Sequence, residues 1–599
     1  MSVYLIKRLI EWATDNGAYV DSALKFVYTK EKGVHAIAST STTGAPRTPQ
    51  LKIPETLIIH GKLASQVLGN DVYSTETIQN GAVKLLLCKI KYDTTETDHC
   101  GRDLAQFFSP YIDLLPVGKQ TNSPFYWKND EAALLKNTNL GGSLNAKFTA
   151  ILDEWYVSVK TLPEKFRGAQ FDRDMDFYAR FRYLDRDEVI EEVLNHKSWT
   201  SFGAYLWASI IFTSRAFPHK IINDSAKDGQ AMLLPLIDLL NHDNSTKIDW
   251  KYEVEDEGGY FSLHSHEPYQ EGCEIFNNYG AKGNEELLMG YGFVIPDNLN
   301  DSVALRLPAP REALERALAY DIYLPTIDDY THHAFDTSKS RSKATLNELE
   351  VEGLLYYLNQ NSLMPEMLLE FSMIICLNDK ELGSFPGSFT VRAKLEALLQ
   401  LRSALEFKLK GLKEKNTERT TSDSGLTETA KIYMNGQKQI YKASISELKG
   451  MEKELLHVYR FHIWNLKKIF KKDPRFREVL QKLGFQTSEE AERSGDSDIY
   501  VAIWILMSVL LPNDEYQPVQ WIRDEFRKIA EDLISFPRDE IKSIMIDELK
   551  EALEGHALLE FIDEEKVFIA ERVTRLHSYT RYNSGEVILV EPMALSITN

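Results

Sequence analysis

The 599-residue chain reads as an α+β protein, and three features of its hydrophobic patterning say so. Short β-rich pieces occupy the first hundred residues and return between about 230 and 310. A stretch with helical spacing, from about 96 to 215, separates them. Almost everything after residue 310 repeats its apolar residues at three- and four-residue intervals. This predicts a β-fold split by a helical insert and followed by a mainly helical C-terminal domain. The segments are 1–95, the first β-rich part; 96–200, the insert; 201–310, the second β-rich part; and 311–599, the helical half. At roughly 100–200 residues per domain, the length alone calls for three or four domains.

Each element has its own signal. The N-terminal MSVYLIKRLIEWATDNGAY predicts an amphipathic helix with Leu5, Leu9, Trp12 and Ala13 inward. Lys7, Arg8 and Glu11 interrupt its apolar stretch, which rules out a signal peptide. VHAIAST (34–40) and KLLLCKI (84–90) read as β-rich pieces punctuated by Gly and Pro. DLAQFFSPYIDLLP (103–116), LNAKFTAILDEWYVSVKTLP (144–163) and SFGAYLWASIIFTSRAF (201–217) are helical. IDWKYEV, YFSLHSH, EIFNNYG and SVALRLP predict strands. TVRAKLEALLQLRSALEFKLKGLKEK (390–415) predicts a long helix, and KNTERTTSDSGLTETA (415–430) a polar loop. The helix resumes over 436–470, and SEEAERSGDSD (488–498) predicts a second polar loop.

Composition narrows the function. Hydrophobic residues make up 43% and charged residues 26%, the balance of a globular protein. A formal charge of -20 argues against direct binding of nucleic-acid phosphates and suits basic protein segments. The four cysteines, Cys88, Cys100, Cys273 and Cys376, form no Cys-x-x-Cys pair, so neither a zinc site nor a disulfide framework is expected. Such usage suits a reducing compartment, the cytosol or the nucleus. No apolar run reaches membrane-spanning length, so no membrane partner is expected. His264 and His266 alternate along a strand with no acidic or thiol partner nearby and read as surface positions, so no metal is expected. There is no P-loop, no G-x-G-x-x-G between strand and helix, no G-x-S-x-G elbow and no H-E-x-x-H.

Two segments carry the positive signal: PLIDLLNHDN (235–244) and EIFNNYGAKGNEELLMGYGF (274–293). The first threads Asn241 and His242 onto the end of a greasy run, where each unsatisfied buried group costs about 1–3 kcal/mol. A helix end would account for that pair alone. The second segment closes a strand with Tyr279-Gly280, turns through AKGNEE, and repeats Tyr-Gly at 291–292.

Together these segments resemble the SET-domain lysine methyltransferases. The branch is the one that includes Rubisco large-subunit methyltransferase, the actin-histidine methyltransferase and the yeast ribosomal and elongation-factor lysine methyltransferases. The resemblance spans essentially the whole chain. It runs through Lys32-Gly33-Val34-His35-Ala36, KIPETLII (52–59), SPYIDLLP (109–116), SPFYWKNDEAALL (123–135), LWASIIFTSRAFP (206–218) and the two segments above. The GAKGNEELL–GYGF wording and NGQKQI (435–440) are most similar to a yeast ribosomal lysine methyltransferase acting on a large-subunit protein.

The resemblance implies a SET-domain β-fold split by its insert, with a helical substrate-binding domain behind it. It implies S-adenosyl-L-methionine as cofactor and S-adenosyl-L-homocysteine as product. Tyr279 matches the catalytic tyrosine and also borders the cofactor. Gly33, Val34, His35 and Ala36 would give backbone contacts to the cofactor, Asn241 its side-chain amide, and His242 mainly its backbone. Tyr291 and Phe293 would line the lysine channel or pack beside the adenine. Ser214 and Arg215 match positions near the cofactor and target-lysine pocket, although a helix C-terminus also favours an arginine. One departure stands out: the family often has Gly-x-Gly in the first cofactor loop, and here His35 replaces the second glycine. The implied partner is a protein with a target lysine, most similar to a ribosomal case, and the implied state is a monomer. An elongation-factor substrate, histidine methylation and a non-catalytic ribosome-assembly factor are the alternatives. Histone methylation fits less well, because the cysteine-rich zinc segment of many histone enzymes is missing.

Overall fold

The computed structural model describes the chain apart from residues 1–2, 45–47, 70–79, 94–102, 168, 197, 257, 332–333, 337–343, 384–387, 414–423, 512–518, 534–542, 544, 582–583, 594 and 596–599. Cys100 and the part of the 415–430 segment up to 423 therefore lie outside the described residues. The chain divides into two units: one runs to Ser302 and regains a later stretch ending at Gln437, and the other holds the rest from Val303 onward.

The first unit is built where the two β-rich parts meet. Leu51–Pro54 pairs with Gly258–Ser265, which pairs with Ile248–Glu255, all antiparallel. Leu24–Thr29 pairs with Gly33–Ala38, and that strand pairs with Glu274–Ile275. Neither part could close a sheet alone; each supplies strands the other lacks. The helices between them share their core. Buried Leu51, Ile53, Phe261 and Ile275 of the strands form one cluster with Phe108, Trp155, Tyr205 and Trp207 of the helices Leu104–Ile112, Asn139–Lys160 and Phe202–Arg215. The N-terminal helix Val3–Asp15 buries Ile6, Leu9 and Ala13, with Leu5 and Trp12 half-buried at the rim of that core.

KLLLCKI corrects the reading above. It lies in a helix, Gly81–Tyr92, that is buried on nearly every side. A helix without a polar face has no visible helical period, and a short apolar run of this kind looks like a buried strand. EIFNNYG also shrinks, to a strand of Glu274–Ile275 followed by irregular chain. His264 and His266 are not partnerless: His264 Nε2 lies 3.0 Å from the Ser262 hydroxyl, and His266 Nε2 lies 2.8 Å from Asp249.

The second unit is mainly helical, with a core that includes Leu314, Leu354, Phe371, Leu398 and Leu405 and a further cluster around Trp504, Leu506 and Phe526. The long helix Val391–Lys413 forms as its spacing predicts. The next helix is Ser424–Val458, so the described end of the 415–430 segment is helix rather than loop, and 436–470 is not one helix. A strand, Ile463–Asn465, interrupts it and pairs with Val587–Val590. SEEAERSGDSD is a short helix, Ser488–Ser494, with a reciprocal cap between Thr487 and Glu490, and not a loop. That T-x-x-E spacing is itself a helix-start signal. Among the described residues, no helix is long and apolar enough to cross a membrane.

Candidate active site

Two strand-like segments cross at the centre of the first unit. His242 and Asn277 form an isolated parallel bridge. The Asn277 N–H donates to the Asn241 carbonyl (2.7 Å) and the Asp243 N–H to the Asn277 carbonyl (3.0 Å). This crossing engages the backbone on either side of His242 and leaves the N–H and C=O of His242 itself outside the ladder. The chain enters it through Leu236, a buried leucine at φ 74°, a conformation that side-chain-bearing residues seldom hold.

The crossing explains why an Asn-His pair sits on an apolar run. Asn241 Nδ2 donates to Glu274 (2.8 Å) and to the Lys32 carbonyl (3.3 Å), which ties the Lys32–Ala36 segment to the crossing. Glu274, nearly buried, also pairs with Lys32 Nζ at 2.5 Å. The Asn241 side-chain oxygen is left for another group. His242 Nδ1 accepts the Tyr279 N–H (3.0 Å), so the neutral ring carries its proton on Nε2, and Nε2 is buried with no hydrogen-bond partner among the described residues. Burial keeps the His242 pKa below its ordinary value. Asn277 accepts from Trp250 Nε1 (3.3 Å) and from the Asn278 N–H (2.8 Å), while its own Nδ2 is buried with no hydrogen-bond partner among the described residues.

The aromatic side chains assemble as a stack. His242 lies over Tyr279 (4.8 Å between ring centres, 12° between planes), Tyr279 over Tyr291 (5.0 Å, 17°), and Phe293 meets Tyr291 edge-on (6.2 Å, 71°). The Tyr279 hydroxyl donates to the Leu240 carbonyl at 2.7 Å. Burial pushes the Tyr279 phenol up to about 12; the Arg215 charge opposes the shift, and Asp238 and Glu274 add to it. A phenol with that pKa stays protonated at neutral pH. It orients and polarises, but it is no general base.

Ser214 and Arg215 lie at the end of the helix Phe202–Arg215, and the Arg215 charge acts on Tyr279. The Ser214 hydroxyl donates back to the Ile210 carbonyl of its own helix (2.8 Å). Arg215 donates to the Asp238 carbonyl (2.8 Å) and lies 3.3 Å from the Asp238 carboxylate, which also accepts from the buried Tyr111 hydroxyl (2.8 Å). Burial raises the Asp238 pKa against the pull of Arg215. Asp238, Tyr111, Glu274 and Asn277 are participants that the sequence reading did not single out. All four lie inside the quoted motifs, but the partners that give them a role come from other segments of the sequence.

His35 resolves the departure in the first loop. Its ring is buried, and its Nδ1–H donates to the Gly33 carbonyl (3.1 Å). The ring is thus held against its own strand. Gly33 sits at φ 69°, and a Cβ there would meet nothing within 4 Å. The glycine conformation and open space that a backbone cradle needs remain at Gly33. The unengaged Asn241 oxygen, His242 Nε2 and Asn277 Nδ2 gather beside the same crossing. This donor and acceptor set fits a ligand with an amino acid group and a heteroaromatic ring, as S-adenosylmethionine has. Among the described residues, no group of three or more His, Cys, Asp or Glu is placed to hold a metal ion.

Comparisons with known proteins agree with this geometry. Residues 326–459 match the EFM1 middle domain. Ribosomal lysine N-methyltransferase 1 of Saccharomyces cerevisiae is 32% identical over 546 residues, covering 88% of this chain and 90% of that protein. Protein-lysine N-methyltransferase EFM1 of the same yeast is 27% identical over 464 residues, covering 74% of this chain and 73% of its own length. The SET domain of LSMT, solved bound to methyl-lysine and AdoHcy, superposes with a TM-score of 0.51 at 17% identity, covering 75% of this chain and 93% of that one. The likeness to the ribosomal enzyme runs through nearly the whole chain, at an identity that shared ancestry explains, and the chain belongs to the SET-domain protein-lysine N-methyltransferases, which use S-adenosylmethionine.

Proposed function

We propose that the chain methylates a lysine of a large-subunit ribosomal protein. Its likeness to a ribosomal lysine N-methyltransferase over 88% of its length supports that substrate class. The observation that carries the chemistry is the Tyr279 hydroxyl, held on the Leu240 carbonyl inside an aromatic stack.

S-adenosylmethionine supplies an electrophilic methyl group on a cationic sulfur. The backbone of Gly33–Ala36, the Asn241 amide and the His242 backbone would hold it, with Phe293 packing alongside. The residues of the chain then have three tasks. Tyr291 and Tyr279 form apolar walls that strip water from the incoming amine, and desolvation lowers a lysine pKa from its reference of about 10.4. The Tyr279 oxygen, its proton engaged by Leu240, offers lone pairs that hold the amine N–H groups in line. With no titrating base among these residues, the amine releases its proton to water. The enzyme acts as a monomer in the cytosol or nucleus, and its acidic surface suits a basic ribosomal protein better than RNA.

The test is methyl transfer from tritiated S-adenosylmethionine to proteins of cells lacking this chain, with labelled bands identified by mass spectrometry. A ribosomal band bearing methyl-lysine, lost with Tyr279→Phe, is the expected result. A labelled elongation factor would overturn the assignment of the substrate while leaving the enzyme class intact, and methyl-histidine would overturn lysine as the acceptor.

A further inference from the structure

The run Asn435-Gly436-Gln437 has no part in the chemistry above, yet it is packed against the element that carries Tyr291. Helix Ser424–Val458 presents Tyr433 and Gln437 one turn apart, both fully buried. The Tyr433 hydroxyl donates to Glu285 (2.9 Å) and accepts from the Leu140 N–H (3.3 Å) and from Gln437 Nε2 (2.7 Å). Its ring shares an apolar cluster with Leu140, Leu288 and Ala430. Gly436 lies against a carboxylate: a Cβ there would come within 2.0 Å of Asp301 Oδ2. Asp301 in turn accepts from the backbone N–H of Asn284 (2.9 Å) and from its side-chain amide (3.3 Å). Asn284 and Glu285 open the helix Asn284–Tyr291, and Tyr291, which closes it, stacks on Tyr279.

We propose that Tyr433, Gly436 and Gln437 are positioning residues for methyl transfer, which clamp the start of helix Asn284–Tyr291 so that Tyr291 stays in register with Tyr279. The helix has 8 residues. At 1.5 Å per residue it is about 12 Å long, so a tilt of roughly 5° at its start moves its end by about 1 Å. A misplacement of that size costs about 10²-fold in rate when reacting groups must align. The inference rests on the reading of Tyr291 as a wall of the acceptor channel.

The test compares Tyr433→Phe, Tyr291→Ala and the double variant, with tritiated S-adenosylmethionine and the ribosomal-protein fraction of cells lacking the chain. Tyr433→Phe keeps the ring in its apolar cluster and removes only the hydroxyl hub. It should lower kcat by roughly 10- to 100-fold, shift the ratio of mono- to multiply methylated product, and leave S-adenosylhomocysteine affinity unchanged. In a Tyr291→Ala background the same change should have almost no further effect, because residues acting through one another are not additive. Glu285→Gln, which still accepts the Tyr433 proton, should recover most of the rate lost in Glu285→Ala. A full additional loss in the double variant would overturn the proposal while Tyr291 keeps its role. Parallel loss of kcat and cofactor affinity in Tyr433→Phe would also overturn it, as general destabilisation. An unchanged kcat and product ratio in Tyr291→Ala would instead remove the channel reading, and the proposal with it.

Discussion

The two units bury polar groups differently. In the first, Asn241, His242 and Asn277 gather around one crossing, and His242 Nε2 and Asn277 Nδ2 are buried with no hydrogen-bond partner among the described residues. In the second, Glu525 takes both Lys380 and the His577 Nε2–H (3.1 Å), and Glu452 takes the Tyr579 hydroxyl (2.9 Å) and the guanidinium groups of Arg402 (3.3 Å) and Arg581 (3.1 Å). Both units have other such orphans among the described residues, Trp12, His196 and Ser209 in the first and Tyr356, Asp473, Ser497, Trp504, Ser508 and Trp521 in the second, but these are scattered over separate elements. Convergent orphans mark a place kept for a ligand. Closed networks mark a scaffold whose polar groups serve the fold, and substitutions should separate the two.

The largest effect belongs to the first unit and should be almost purely kinetic. Tyr279→Phe removes a hydroxyl that orients the reacting amine, and loss of one such group lowers rates by about 10²–10³-fold. The melting temperature and S-adenosylhomocysteine affinity should barely change, since the ring keeps its stacking on His242 and Tyr291. Near wild-type turnover would mean that another residue holds the amine.

Glu525→Ala should show the converse. It leaves Lys380 and the buried His577 without their shared carboxylate. Breaking a buried pair costs about 3–5 kcal/mol, and the partial exposure of Lys380 brings the expectation to about 3 kcal/mol. Urea unfolding measures it, and S-adenosylhomocysteine affinity should be unchanged. A loss of stability below about 1 kcal/mol would erase the contrast between the units.

Ligand linkage gives the third effect. S-adenosylhomocysteine at a hundredfold excess over its Kd should stabilise the fold by about 2.7 kcal/mol. Hydrogen exchange should slow at Gly33–Ala38 and around Asn241 and Asn277, and not in the helix Ser497–Leu510. Asn241→Ala should weaken binding by about tenfold or more, the worth of a hydrogen bond to a charged group. Protection spread evenly over both units would refute a site confined to the first.

Much of this site was legible because its motifs carry their own logic. The crossing and the stack fall in the two segments singled out from the residues, the Gly33–Ala36 loop came only from the resemblance, and the fold brings His242, Tyr279, Tyr291 and Phe293 together. What escaped was long-range. Nothing in the sequence tells Asp238 that Tyr111 and Arg215 will find it, or Glu274 that it will hold Asn241 and Lys32. In the fold, Gly81–Tyr92 was misread because burial on nearly every side removes the helical period. The helix Ser488–Ser494 was misread because its one apolar residue, the buried Ala491, gives no period, and only its Thr487–Glu490 cap betrays it.

The smallest effect follows from histidine burial and separates the units by pH. His60 caps the helix Gly61–Leu68, its Nδ1 accepting the Lys62 N–H (3.3 Å), and stacks 5.5 Å from His219 with Glu55 3.9 Å from its Nε2. Burial, then the neighbouring His219, hold the His60 pKa down at about 4, against a small opposing pull from Glu55. A depressed folded pKa means stability that is present above the unfolded value of 6.5 and is lost as pH falls toward 4. Between pH 7 and 5 this removes about 2 kcal/mol. Asp301 works the other way: burial raises it to about 6, so its contribution is full below the unfolded 3.8 and fades as pH rises through 6. Glu525, drawn down to about 2 by His577 and Lys380 despite its burial, contributes a constant amount until pH falls below 4.5. His60→Asn keeps a cap acceptor and removes only the titration. Unfolding measured at pH 7 and pH 5, resolved by hydrogen exchange, should show the first unit of this variant losing about 2 kcal/mol less than wild type, while the second unit, where burial holds His577 of the Glu525 network below the ordinary histidine value, should lose the same amount in both. Equal losses in wild type and variant would mean that His60 takes up its proton in the folded chain as readily as in the unfolded one, and that the acid sensitivity of the first unit lies with His196, His219 or His242, which burial also holds below the ordinary histidine value.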